Sequence, residues 1–175
     1  MQRMDNLNLH PAPLNPDLNE LVNALVNMLM PNGYHRTCSE ELAPSTLHGA
    51  KHYFNKHGTV MVWTGASDNT IFGDPAVNWA FRAWHDYVHI LWNLEFTPVG
   101  EAEVCAIQQQ QARQYMEDRG YSPARIEAVV QLLEAEVNGQ IEYQQKHGNF
   151  PEDQREFTKN YVRKMNCGIS YGKGM

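Results

Sequence analysis

Residues Asp74 to Glu95, DPAVNWAFRAWHDYVHILWNLE, constrain the fold more than any other stretch of the chain. Asp74 is suited to cap a helix and Pro75 to occupy its first turn, where a missing N–H costs nothing. On a helix advancing about 100° per residue, the aromatic and aliphatic residues from Val77 to Trp92 point in almost every direction. Such a helix is expected to be surrounded by protein. One stripe breaks the pattern: Asn78, Arg82, His85, His89 and Asn93 share a face, with Asp86 on its edge. Polar groups so placed must be satisfied by one another, by neighbouring helices or by an ion.

The flanking sequence is mostly of helical period. Residues 1–16, rich in proline and asparagine, read as a flexible arm, residues 17–166 as a single helical domain, and the glycine-rich residues 167–175 as a flexible tail. Leu18, Leu21, Val22, Leu25 and Val26 mark a packing helix that Pro31-Asn32-Gly33 stops. Residues 38–57 suit one or two short helices, with Ser45 or Thr46 as a cap, and carry His48 and His52 on a solvated surface. TVMVWT at 59–64 and TIFG at 70–73 resemble the two strands of a hairpin. Further helices are expected over about 99–115, 123–147 and 152–165. The expected fold is therefore mostly α: a single-domain helical bundle with a small β-hairpin before the central helix.

Composition narrows the function classes. A formal charge of -6 without long basic runs argues against nucleic acid as a partner. No apolar run reaches membrane-spanning length and the N-terminal stretch lacks a signal-peptide core, so a cytoplasmic protein is expected. Cys38, Cys105 and Cys167 are odd in number and lack metal-type spacing, so reduced thiols are the default.

Three helices put ionisable groups where apolar ones belong: His85 and His89 on the central helix, Glu101 on the next, and Glu136 on the one after. A lone buried carboxylate costs several kcal/mol or is forced neutral. A divalent metal would resolve the conflict, because histidines one turn apart present two imidazoles to one ion and facing carboxylates complete the shell. Zinc is the first expectation, with iron or manganese as alternatives. Two other readings stay open: a core histidine pair bonded to its neighbours, and a salt bridge from Glu101 or Glu136 to Arg82. Arg82 could instead bind an anionic substrate group. Tyr143, on the same helical face as Glu136 and Gln140, is a candidate donor to a substrate oxyanion.

The segment HDYVH resembles the HExxH motif of zinc metallohydrolases. That resemblance implies His85 and His89 as zinc ligands and Asp86, where that family has glutamate, as the group polarising a metal-bound water. The same letters resemble the HD stretch of HD phosphohydrolases, which implies His85 and Asp86 as ligands with His52 and either Asp118 or Asp153. More broadly, TIFGDPAVNWAFRAWHDYVH, the GE at 100–101 and HGNFPEDQREF at 147–157 resemble an uncharacterised family of small bacteriophage and mobile-element proteins. The expected function is a metal-dependent hydrolase with a His/His/carboxylate site. The alternative is a non-catalytic, phage-encoded interaction protein with a buried polar network, and a third possibility is a di-metal oxidase-like bundle.

Overall fold

The computed structural model describes residues 10–171. Part of the expected arm (1–9) and the end of the expected tail (172–175) lie outside the described residues.

Helix α1 spans Pro16–Leu29, with the Asn15 side chain accepting from the backbone N–H groups of Asp17 and Leu18. Its buried face is the expected one: Leu18, Leu21, Val22, Leu25 and Val26. Strand β1 is His35–Thr37, and after a 3-10 turn at Glu40–Leu42 comes helix α2, Leu47–His57. Thr46 caps α2 by accepting from Gly49 N–H at 3.1 Å, and Gly58 ends it in the left-handed conformation. His48 and His52 are exposed on α2, as their weakly patterned surroundings predict.

Strand β2, Met61–Trp63, pairs with β1 in parallel, His35 opposite Met61. The expected hairpin is therefore replaced by a two-stranded parallel sheet, and α2 serves as the crossover that parallel strands require. TIFG is not a strand. Ile71 and Phe72 are buried, and the carbonyls here are taken up elsewhere: Ile71 O by Leu14 N–H at 2.9 Å, Phe72 O by the Asn19 side chain at 2.8 Å. Apolar, β-branched sequence was satisfied by burial and by side-chain and arm donors, leaving no ladder to form.

Helix α3, Pro75–Trp92, is the central element, capped by Asp74 accepting from Ala76 N–H at 2.8 Å. It packs against α1, α2 and helix α4, Pro98–Glu117. Its last turn departs from the expectation of full burial: Leu91 and Trp92 are more than half exposed. Helix α5, Pro123–Glu134, lies on α4 and continues through a π-helical segment, Ala135–Gly139, into helix α6, Gln140–His147. The backbone stays helical across both joins, so the expected single helix from 123 to 147 is present with one widened turn inside it. Helix α7, Gln154–Tyr171, packs on the π segment and on α5. The molecule is thus mostly helical, with one core cluster in which Trp84, Phe72, Leu18, Leu21, Met116 and Leu133 are essentially fully buried. Among the described residues no helix is long and apolar enough to cross a membrane.

Candidate metal centre

The polar stripe of α3 is accounted for residue by residue. Asn78 donates to Ser67 Oγ at 2.9 Å, and Asn93, the left-handed C-cap of α3, accepts from Lys51 Nζ at 2.5 Å. Arg82 donates to the backbone carbonyls of Trp63 at 2.6 Å, Gly65 at 2.7 Å and Ala66 at 3.3 Å, fixing the loop after β2. Among the described residues no carboxylate lies within ion-pair distance of its guanidinium, so the expected salt bridge to Glu101 or Glu136 does not form. These three bonds hold Arg82 at the wall of the site.

The histidines turn the other way, toward α4. His85 Nε2 lies 2.7 Å from Glu101 Oε2, His89 Nε2 lies 3.3 Å from Glu101 Oε1, and the two Nε2 atoms are 3.1 Å apart. One ligand atom from each of the three residues falls within 4.8 Å of the other two, close enough to hold a metal ion. Ligands about 2.1 Å from a shared zinc ion at near-tetrahedral angles stand roughly 3.4 Å apart, so the spacing requires little adjustment.

The outward-facing ring nitrogens are fixed by their partners. Leu94 O can only accept, so His89 Nδ1, 2.8 Å away, carries a proton and Nε2 faces the centre. His85 Nδ1 is 3.0 Å from Gln108 Oε1, which sets the same orientation. A hydrogen-bonded Nδ1 behind each inward Nε2 is the arrangement metal-ligating histidines normally have. Gly100 brings Glu101 into range: it is buried at the start of α4, where a β-carbon would collide with the Glu95 backbone carbonyl.

The charges reinforce one another. Burial opposes charging of His85, but the hydrogen bond and charge of Glu101, together with Asp86 and Gln108, outweigh it and raise its pKa to about 8. Burial likewise opposes ionisation of Glu101, yet its bonds to His85 and His89 bring it down to about 2. Asp86 is pushed up to about 6 by burial, against the pull of the two histidines. It makes no hydrogen bond to the protein among the described residues, so its carboxylate is available to a bound molecule.

His85 and Glu101 border an open cavity of about 440 Å³, whose lining also includes Arg82, Asp86 and Glu136, while His89 is fully buried behind them. Compared with known proteins, the chain has no match: no protein-family model, curated protein or solved structure matches it.

Of the expected ligands, His85, His89 and Glu101 come together, whereas Glu136 stands outside the group although it borders the same cavity. Tyr143 does not line the cavity; it stacks on His147 and Phe157, with ring centroids 4.2 and 5.4 Å away. The expected oxyanion donor is therefore not positioned for that role. His52, Asp118 and Asp153, the additional residues of an HD-type set, are exposed and outside the group. Two contributors went unassigned in the sequence. Gln108 is seven residues, two turns, beyond Glu101 on the inner face, a spacing that placed it inward without giving it a role. The Leu94 carbonyl, like any backbone acceptor in a loop, left no side-chain signal.

Proposed function

We propose that the protein is a metal-dependent hydrolase, with His85, His89 and Glu101 holding a zinc ion, or iron or manganese in its place. The observation that carries this reading is the convergence of two imidazole nitrogens and a carboxylate at 2.7–3.3 Å beside an open cavity. Two histidines and a glutamate are a catalytic zinc donor set that keeps a fourth position for water or substrate. A bound ion there would acidify its water and polarise a substrate carbonyl. Asp86 is the group to accept the water's proton: it lines the same cavity and makes no hydrogen bond to the protein among the described residues. The test is hydrolysis of chromogenic esters and amides by the zinc-loaded protein. Turnover should vanish in chelator and return with zinc. Asp86→Asn should lower kcat by about 10²- to 10⁴-fold with metal content unchanged. Turnover indifferent to both treatments would refute the reading.

One observation favours a second reading, a non-catalytic interaction protein with a buried polar network. The 2.7 Å ion pair between His85 and Glu101 satisfies the centre with a proton alone. That reading requires that no metal be bound and that melting be unchanged by chelator.

A further inference from the structure

We propose that Asn78 is a substrate-positioning acceptor in the cavity, taking a hydrogen bond from an N–H or O–H group of an otherwise apolar ligand. The inference deepens the hydrolase reading and rests on it for the reaction at the triad, but the recognition itself requires no metal.

Asn78 is only 2% exposed, and it lines the cavity from the first half of α3. Its amide has one orientation, which Ser67 fixes. The Gly65 carbonyl can only accept, so the single hydroxyl proton of Ser67 goes there, over 3.1 Å. The Trp79 indole N–H, 3.1 Å from Ser67 Oγ, can only donate. Ser67 Oγ therefore has a lone pair left and no proton, and the Asn78 atom 2.9 Å from it must be the NH₂ group.

The amide oxygen is left pointing away from Ser67. Among the described residues no donor bonds to Asn78 Oδ1, and Arg82, one turn along the helix, directs Nη1 and Nη2 to the carbonyls of Trp63, Gly65 and Ala66. Nor is Oδ1 one of the unpaired side-chain atoms sealed from solvent. In a residue otherwise enclosed by the core, the opening it meets is the cavity that it lines. An amide oxygen so placed, fixed in orientation and without a protein partner, calls for a donor from a ligand or an ordered water.

The rest of the cavity defines what carries that donor. Met61, Val62, Trp63, Phe81 and Phe150 supply apolar and aromatic wall. Asn78 precedes His85 by seven residues, about 10 Å along the helix axis, so the donor lies roughly that far from the bond to be hydrolysed. The ligand class is an elongated ester or amide, apolar through its middle, with an aryl N–H, an indole or a phenol at the end remote from the triad.

Indole and benzofuran test the assignment, because they share a shape and differ in whether the ring heteroatom donates or accepts. Titrated by ligand-observed NMR against the full chain in chelator, indole should bind about tenfold more tightly, the effect of one net hydrogen bond. Asn78→Leu keeps a similar volume without the acceptor, and should bring the two affinities within about twofold of each other. Ser67→Ala tests the orientation: it frees the amide to turn, Nδ2 can then meet the benzofuran oxygen, and the preference should fall to about threefold or less. A merely structural role for Ser67 would weaken both ligands alike and leave their ratio intact. Equal wild-type affinities, no binding of indole, or the wild-type ratio retained in either variant would overturn the proposal. Should Asn78→Leu fail to fold, Ser67→Ala decides. Zinc content, measured separately after loading, keeps the two readings apart: indole preference without zinc retains the subsite and removes the hydrolase, and zinc with turnover but no indole preference does the reverse.

Discussion

At the scale of single residues, the centre depends on which nitrogen of each ring is held. The Leu94 carbonyl fixes His89 and the Gln108 amide fixes His85, so each imidazole is oriented before any ion arrives. Gln108 is fully buried and its Nε2 has no partner, so its placement gains nothing for the core beyond the bond to His85. Replacing it with leucine removes that bond while filling similar volume. Gln108→Leu should leave the melting temperature nearly unchanged and weaken zinc binding by about 10- to 100-fold, measured by competition with a chromogenic chelator. Cys105, by contrast, is a structural thiol. Burial, with Glu134 adjacent, pushes its pKa to about 12, which rules against nucleophilic use.

Two of the elements around the site each have a feature that a sequence pattern conveys poorly. In α4 the feature is contact: Gly100 sits against the Glu95 backbone, so Gly100→Ala must move the start of the helix and Glu101 with it. That variant should lose bound metal while retaining helical circular dichroism. In the helix from Pro123 to His147 the feature is the π segment. The periodicity of Ile126, Val129, Val130 and Leu133 located the helix and placed Glu136 inward, but a widened turn shifts every later side chain around the axis. Glu136, inside that turn, borders the cavity without joining the triad, and Tyr143 does not line the cavity. Glu136 also links this element to pH. Its folded pKa of about 8 exceeds the unfolded value, so the native state holds the extra proton and stability falls as pH rises from about 4.5 to about 8. Glu136→Gln removes this dependence. Urea unfolding across that range should show wild type losing on the order of a few kcal/mol relative to the variant, and parallel curves would show that Glu136 is not titrating as described.

On the scale of the whole molecule, amphipathic period and capping residues were sufficient to locate the helices. Asn15, Thr46, Asp74, Thr97 and Ser122 each cap the helix that follows them. The sheet was not legible, because strand propensity says nothing about partner or direction: TVMVWT found its mate upstream in His35–Thr37, across α2. The triad was legible because misplaced charge on a buried helix demands a partner, and only a limited number of inward carboxylates were available. Trp84, at the heart of the core and donating to Gln111 at 2.7 Å, ties α3 to α4. Trp84→Ala should cost about 3–5 kcal/mol of stability, read from chemical denaturation. If α3 and α4 together make a metal centre, elemental analysis after zinc loading and gel filtration should find one equivalent in wild type and none in His89→Ala or Glu101→Ala; a metal-free wild type, or stoichiometric zinc in either variant, would show that they do not.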